Sequence, residues 1–211
     1  MSLKIYGIAA SRAVRPLWVA HELGLAYEHI PTPYAGGATR TPEFLKLNPK
    51  GHIPVVDDGG ILVWESMACA LYLAQRYTAA DGTSLAGQSP AEQAEVLRWT
   101  FWAVTECEKD ALAVLMHTAV MPEDRRKPEL ARESGARLQV PLKVLEQHLS
   151  DGRAHLAGER FTVADVCVAS VLAWTQPVPS LLAEVPRVQA WLQRCLGREA
   201  QRQVRALSRK A

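Results

Sequence analysis

The 211-residue sequence contains no Cys-x-x-Cys pair and no histidine–cysteine cluster at zinc-ligand spacing. Its four cysteines are far apart, and each lies in an apolar stretch with helical periodicity: Cys69, Cys107, Cys167 and Cys195. Isolated cysteines in apolar helices are usually buried, reduced thiols. The sequence therefore gives no support for a metal centre or a dithiol mechanism, and we expect no metal ion.

Long apolar runs are also missing. No stretch is long enough to span a bilayer, and the N-terminus lacks the charged-then-apolar pattern of a signal peptide. The charges are balanced, because 24 basic and 22 acidic side chains give a net charge of +2. Basic residues are interleaved with acidic ones instead of forming a stripe, which argues against nucleic-acid binding. We expect a cytoplasmic globular protein that binds neither membranes nor nucleic acid.

Residues 1–78 combine strand and helix patterns in an order typical of a thioredoxin-like domain. Alternating apolar residues predict the strands, and apolar residues three or four positions apart predict the helices. The predicted strands are Leu3–Tyr6, Tyr27–Pro31, Ile53–Asp57 and Ile61–Trp64, and the predicted helices are Arg12–Leu23, Pro42–Leu47 and Met67–Tyr77. A βαβ unit is thus followed by a ββα unit, whose strands are joined by a glycine-rich hairpin turn.

From Pro90 onward nearly every segment has helical periodicity, whereas residues 79–89 are rich in glycine and small polar residues. We therefore predict a linker over 79–89 and an all-helical bundle domain over 90–211. Its predicted helices are Glu92–His117, Glu129–Leu149, Val163–Trp174 and Pro186–Leu196. Thr162 and Asp165 form a capping-box pattern at the start of the third of these helices. The predicted fold class is α/β plus all-α.

Two features of the first half predict a binding site for a small peptide. Pro54 pushes Ile53 toward extended geometry, and unpaired main-chain groups at that position can pair with an extended peptide. Ser66 follows Glu65 at the start of a predicted helix, whose free N–H groups suit a carboxylate. A peptide-binding edge beside an anion site and an acid describes a slot for a zwitterionic peptide.

Ser11 lies where the first strand ends and the first helix begins. A hydroxyl in this place can donate a hydrogen bond to an anion, and the helix N-terminus adds positive potential. A bound thiol would therefore be shifted toward thiolate. The alternative is that Ser11 is only a helix N-cap, which its position alone favours. No histidine–aspartate arrangement accompanies Ser11, so we do not expect it to be a nucleophile.

The sequence resembles the cytosolic glutathione transferases, most of all the serine-type phi-like and bacterial members. The resemblance depends on Tyr6–Ser11, Arg15, Asn48–Pro54 and the pair Glu65-Ser66, and it extends over essentially the whole chain. It implies a homodimeric glutathione S-transferase that uses glutathione as co-substrate. Such an enzyme conjugates the glutathione thiolate to small hydrophobic electrophiles.

The resemblance also implies roles for individual residues. Ser11 would hold the glutathione thiolate. Ile53, before a cis Pro54, would pair main chain to main chain with the cysteinyl part of the tripeptide. Glu65 would meet the γ-glutamyl ammonium, and Ser66 would meet the γ-glutamyl carboxylate.

Four further residues add charge or an ionisable ring. Arg40 would reach the glycyl carboxylate. His52 stands where the family often has glutamine, and its imidazole could donate to a carboxylate. Arg12 and Arg15 could raise the local positive potential, although a solvated helix face or a structural ion pair is the more usual role of such residues.

The co-substrate pocket is expected between the two halves, next to the long helix of the second half. Trp102, Met116 and His117 are the candidates for its lining, and the alternative for each is helix-bundle core or dimer contact. Two other functions stay open. One is a non-catalytic glutathione-binding or structural protein of the same fold, and the other is a glutathione-dependent peroxidase or isomerase.

Overall fold

The computed structural model describes residues 3–208, and its four strands form one mixed sheet. In chain order the strands are β1 (Leu3–Tyr6), β2 (Tyr27–Ile30), β3 (Val55–Asp58) and β4 (Ile61–Trp64). The order across the sheet is β2-β1-β3-β4. β1 runs parallel to β2 and antiparallel to β3, and β3 runs antiparallel to β4. All predicted strands are present, but β3 begins at Val55 instead of Ile53.

Three helices follow the strands in the predicted thioredoxin-like order. They are α1 (Val14–Glu22), α2 (Pro42–Leu47) and α3 (Ser66–Arg76). The core contains side chains from strands and helices alike, and Ile5, Trp18, Val56 and Leu73 are fully buried. α1 packs against α3, so the N-terminal ends of these two helices are positioned by the same apolar packing.

The second part of the chain begins with a helical rod over residues 90–120. It consists of α4 (Pro90–Trp102), a wide-turned π segment at Ala103–Glu108, α5 (Lys109–Leu115) and a second π segment at Met116–Val120. Ser89 caps the rod, because its hydroxyl accepts from the N–H of Glu92 at 3.1 Å. The sequence predicts a single long helix here but not the π segments.

Three further helices complete this part: α6 (Pro128–His148), α7 (Val163–Leu172) and α8 (Pro186–Leu196). Every residue of α7 is buried, as expected for a helix that is apolar all round. The predicted capping box is present, since the N–H of Thr162 donates to the Asp165 carboxylate at 3.0 Å. The same carboxylate accepts from the N–H of Leu156 at 3.1 Å and from the indole N–H of Trp191 at 3.0 Å.

The chain divides into two compact units. Within the described residues, one contains residues 3–86 together with residues 198–208, and the other contains Gly87–Gly197. The division after Ala86 falls inside the predicted linker over 79–89. Residues 1, 2 and 209–211 belong to the predicted domains but lie outside the described residues.

The last helix, α9 (Glu199–Leu207), belongs to the unit that contains the sheet and packs against α1. The prediction places this segment in the helical domain and differs from the structure in that respect. Arg198 forms a two-pronged ion pair with Glu22, with N–O distances of 2.6 and 2.7 Å, and Gln203 bonds to His21 at 2.9 Å. Helical periodicity does not record contacts between residues so far apart in sequence.

Within residues 3–208, no helix is both long and apolar enough to cross a membrane. The same residues contain no group of three or more histidine, cysteine, aspartate or glutamate side chains placed to hold a metal ion. The four cysteines are buried free thiols, which confirms that prediction. Burial raises the pKa of Cys69 and of Cys107 to about 12, so neither is poised to ionise.

Candidate active site

Ser11 lies in a hydrogen-bonded turn between β1 and α1. Its N–H donates to the C=O of Ile8 at 3.0 Å, and its hydroxyl donates to the same carbonyl at 2.7 Å. The hydroxyl also accepts from the N–H of Ala13 at 3.1 Å. Because of this turn, α1 begins at Val14 instead of Arg12. Ser11 thus stabilises a turn ahead of α1, whose N-cap is Ala13. Its half-buried hydroxyl donates to a ligand only when the O–H bond turns away from Ile8.

Gly7 holds the Ser11 turn close to the segment that contains Ile53. Its φ angle is +132°, and a Cβ at this position would lie 2.7 Å from the Cβ of Ala13 and 3.3 Å from the Cβ of Ile53. Only glycine fits such an approach without displacing its neighbours. The sequence analysis does not single out Gly7 as a site residue, although a glycine directly after a strand is a turn signal.

Ile53 lies two residues before the start of β3, and the Ile53–Pro54 bond is cis, as the resemblance implies. The β1–β3 ladder ends at the pair of Tyr6 and Val55, so Ile53 is outside it. Neither the N–H nor the C=O of Ile53 hydrogen-bonds to any other part of residues 3–208. The main chain of Ile53 therefore presents a donor and an acceptor of the kind that an extended peptide pairs with.

Glu65 and Ser66 stand at the N-terminal end of α3. Glu65 has a φ angle of +69°, which is uncommon for a residue other than glycine and marks a position fixed by its surroundings. Ser66 is 6% exposed and is the first residue of α3. The first N–H groups of a helix have no partner inside it, and the helix end favours negative charge. The geometry at Ser66 therefore suits a carboxylate.

Two cations that bind this helix end are not predicted as its partners. The Nζ of Lys50 lies 2.6 Å from Oε1 of Glu65 and 5.7 Å from the ring centre of Trp64. Arg15 is 1% exposed and donates from Nη1 to the hydroxyl oxygen of Ser66 at 2.6 Å. The solvated helix face considered for Arg15 is therefore wrong. Sequence alone does not show these pairs, because the partners are 15 and 51 positions apart.

Arg40 and His52 lie in the loops next to these residues. Arg40 ends a short helical turn and donates from Nη1 to the C=O of Lys50 at 3.1 Å. Gly51 permits this approach, because a Cβ there would lie 2.6 Å from the Arg40 guanidinium. The side-chain amide of Asn48 donates to the C=O of His52 at 2.8 Å, and the His52 side chain is exposed. A carboxylate bound near this loop would meet the exposed Arg40 cation.

The candidate residues of the first unit thus offer a complementary set of groups. The set comprises two hydroxyls, an open main-chain edge, a carboxylate and two exposed cations. In that order they belong to Ser11 and Ser66, Ile53, Glu65, and Arg40 and Lys50. A thiol peptide with one ammonium and two carboxylates presents the matching groups. The arrangement can therefore bind such a peptide with its main chain at Ile53, and it can place a thiol near the Ser11 turn because Gly7 adjoins both segments.

The residues predicted to line a co-substrate pocket lie along the rod of the second unit. Trp102 ends α4, is half-buried, and packs edge-on against Trp99 with ring centres 5.0 Å apart. Met116 and His117 begin the second π segment, and Nδ1 of His117 accepts from the N–H of Lys127 at 3.3 Å. π segments are common at functional sites. These contacts are equally those of a helix core, so both interpretations of the three candidates remain.

Comparisons with known proteins support the resemblance. A family profile described as Glutathione S-transferase, N-terminal domain, matches residues 1–75, and one described as Glutathione S-transferase, C-terminal domain, matches residues 109–199. Glutathione S-transferase 3 of Zea mays is 34% identical over 204 residues, which are 94% of this chain and 90% of the maize protein. Elongation factor 1-gamma of Equus caballus is 30% identical over 193 residues, which are 88% of this chain but 42% of that protein.

The structure of this chain is also similar to a solved structure. The theta class glutathione S-transferase from the citrus canker pathogen Xanthomonas axonopodis pv. citri, with glutathione bound, matches with a TM-score of 0.84. It is 31% identical in sequence, and the match covers 96% of this chain and 96% of that chain. A thioredoxin-like part followed by a helical part is thus the fold of this relative as well.

Proposed function

This chain belongs to the glutathione S-transferase family, and we propose that it conjugates the glutathione thiolate to small hydrophobic electrophiles. The tripeptide would lie extended along Ile53. Its γ-glutamyl group would bind at Glu65 and Ser66, and its glycyl carboxylate would point toward Arg40 and His52. No step of this reaction requires a redox change in the protein.

The observation that carries the proposal is the open main-chain edge at Ile53. The N–H and C=O of half-buried Ile53 pair with nothing within residues 3–208, and a partly buried main-chain group usually has a partner. An extended peptide laid along this edge satisfies both groups. Because Gly7 adjoins both segments, the sulfur of a cysteine paired with Ile53 would face the turn that contains Ser11.

Ser11 would lower the pKa of the bound thiol. The hydroxyl would donate to sulfur instead of to Ile8, and the N-terminal end of α1 would add positive potential. Lowering a thiol pKa by about two units corresponds to about 2.7 kcal/mol. A hydrogen bond to a charged acceptor contributes about 1.5–3 kcal/mol and a helix N-terminus about 0.3–1 kcal/mol. Together these effects contribute about 1.8–4 kcal/mol, and the lost bond to Ile8 subtracts about 0.5–1.5 kcal/mol. A shift of two units therefore requires a hydrogen bond from Ser11 at the strong end of this range. The thiol proton passes to solvent, the thiolate sulfur forms the S–C bond, and the leaving group departs with the electron pair of its broken bond to carbon.

Ser11→Ala tests this role. We expect kcat/KM for a chlorinated aromatic to fall about 10- to 100-fold near neutral pH, because the variant lacks one hydrogen bond to a charged sulfur. The deficit should shrink as the pH rises past about 8.5, because free glutathione then ionises without help. Glutathione binding, measured by calorimetry, should be retained, since the main-chain edge and the helix end are unchanged.

Two results would contradict the proposal at different levels. Conjugation by Ser11→Ala at the native rate and pH dependence would remove Ser11 from the mechanism. Titration of millimolar glutathione into the unchanged protein without heat or saturation would rule out the proposed site as a whole.

The proposal also covers the electrophile, the assembly and the location. Trp102, Met116 and His117 offer apolar and mixed side chains along the rod, which suit a small hydrophobic molecule. Family membership supports a homodimer and a cytoplasmic enzyme. These parts remain predictions from the sequence.

A second candidate function is a non-catalytic glutathione-binding or structural protein, and the observation in its favour is that one relative is named as an elongation factor and not as a transferase. This chain spans less than half of that protein, whereas it covers most of the maize transferase. Retention on immobilised glutathione without turnover of any electrophile in a broad panel would favour the binding protein. Peroxide reduction, assayed beside conjugation, would identify use of glutathione as a reductant.

A further inference from the structure

Arg15 places a guanidinium beneath the helix end that carries Ser66. It is the second residue of α1, 1% of its surface is exposed, and its Nη1 donates to the Ser66 hydroxyl oxygen at 2.6 Å. Burial of a guanidinium costs free energy unless its N–H groups are hydrogen-bonded. The buried Arg15 directs one of these N–H groups at a candidate ligand-binding hydroxyl.

The bond from Arg15 decides how the Ser66 hydroxyl can be used. A serine hydroxyl has one O–H donor and two acceptor lone pairs, whereas a guanidinium can only donate. Arg15 therefore occupies a lone pair of Ser66 and leaves its proton available. No acceptor within residues 3–208 receives that proton, although Ser66 is only 6% exposed. The hydroxyl is thus a buried donor ready for an acceptor that the described chain does not supply.

Donation from a cation also makes the hydroxyl a stronger donor. Hydrogen bonds in series polarise one another, and the effect is larger where water is excluded. A carboxylate bound at Ser66 would accept a hydrogen bond from a hydroxyl that is itself bonded to a positive charge. Arg15 would strengthen carboxylate binding without touching the carboxylate.

We propose that Arg15 is a positioning residue that acts through the Ser66 hydroxyl to strengthen binding of the γ-glutamyl carboxylate of glutathione. The inference rests on the proposed function, because it requires that glutathione place this carboxylate at Ser66. It predicts an effect on the affinity for glutathione and little effect on the rate of the bound complex. It also predicts that the effect depends on both Ser66 and the γ-glutamyl group.

The experiment compares Arg15→Gln in two backgrounds and with two thiols. In the unchanged background, KM for glutathione should rise about ten-fold, the equivalent of 1.4 kcal/mol, with kcat changed less than about two-fold. In the Ser66→Ala background, the same change should raise KM by less than about two-fold, because contributions within one hydrogen-bond chain do not add. With cysteinylglycine, which lacks the γ-glutamyl group, kcat/KM should change less than about two-fold.

Arg15→Lys keeps the charge on a shorter side chain and should restore part of the glutathione affinity. Thermal melting identifies any variant that does not fold. If Arg15→Gln fails to fold, Arg15→Lys is compared with the unchanged protein, and a loss confined to glutathione supports the inference. Two results would overturn this inference alone. One is an equal loss of kcat/KM with glutathione and with cysteinylglycine, and the other is an equal rise in KM for glutathione in the unchanged and the Ser66→Ala backgrounds. Absence of glutathione binding by the unchanged protein would overturn the proposed function and this inference with it.

Discussion

At the residue scale, the carboxylate of Glu65 is already paired with a cation from its own chain. The Nζ of Lys50 lies 2.6 Å from Oε1 of Glu65, and the two side chains are 50% and 59% exposed. An exposed pair of this kind contributes only about 0–1 kcal/mol to stability. Its main consequence concerns binding, because the γ-glutamyl ammonium assigned to Glu65 must displace Lys50 or share the carboxylate with it.

We therefore predict that Lys50→Met lowers KM for glutathione by about two- to five-fold at low ionic strength, the factor set by an exposed ion pair. Added salt should reduce the difference between variant and unchanged protein, since salt screens exposed charges. Lys46→Met is the matched control, because it removes an equal charge from an exposed lysine on α2. A higher KM in Lys50→Met would show instead that Lys50 itself binds glutathione.

The residues of the candidate site could be predicted from sequence where local rules apply. The extended geometry of Ile53 follows from Pro54, and the place of Ser66 follows from the start of a helix. The burial of Arg15 depends on the packing of α1 against α3, and its partner is 51 positions away. The close approach at Gly7 likewise depends on how three segments meet. Local patterns contain no information about such contacts.

At the element scale, Asp165 joins the start of α7 to its neighbours. Its carboxylate accepts from the N–H groups of Thr162 and Leu156 and from the indole of Trp191, at 3.0 to 3.1 Å. All of these contacts are buried. A carboxylate that satisfies several buried donors fixes both the first turn of α7 and the place of α8.

Asp165→Ala should therefore destabilise the protein by about 3–5 kcal/mol, because it leaves buried donors without an acceptor and removes the cap. The loss can be measured as a lower midpoint of urea unfolding, followed by circular dichroism. Asp151→Ala removes a carboxylate from an ion pair with Arg153 in which the Asp151 side chain is 55% exposed, and it should shift the midpoint only slightly. Equal shifts in the two variants would contradict the central role of Asp165.

The elements themselves were largely predictable, and the exceptions have a common cause. Strands and helices with strong periodicity lie within a few residues of their predicted bounds, and the predicted capping box of Thr162 and Asp165 is present. The π segments of the rod escape prediction because a wide turn inserts one residue without a simple periodic signature. The assignment of α9 to the unit with the sheet could not be predicted either, because the ion pair of Arg198 with Glu22 joins residues 176 positions apart.

At the scale of the whole molecule, apolar side chains are exposed on the edge strand β4 and on one face of the rod. On β4, Ile61 is 53% and Leu62 is 39% exposed; on the rod, Leu97, Phe101 and Val104 are 43%, 61% and 41% exposed. The rod residues are four and three positions apart, so they share a face. Exposed apolar edges and helix faces are typical of surfaces buried by a partner. In the proposed two-fold dimer, we expect β4 of one subunit to meet the rod of the other.

Phe101→Asp should convert this dimer into a monomer. A carboxylate placed in an apolar interface costs about 3 kcal/mol or more, which weakens the dimer by a factor of about 100 or more. Sedimentation at micromolar concentration should give a dimer for the unchanged protein and a monomer for the variant. Val140→Asp adds the same charge on α6, where Val140 and Val144 are 72% and 50% exposed, and it should remain dimeric if the rod forms the interface; a monomeric Val140→Asp beside a dimeric Phe101→Asp would place the interface on α6 instead. Glutathione binding should persist in Phe101→Asp, because Ser11, Ile53 and the α3 end belong to the other unit, and its retention would separate dissociation from unfolding. A dimeric Phe101→Asp would place the interface elsewhere, and a monomeric unchanged protein would rule the dimer out.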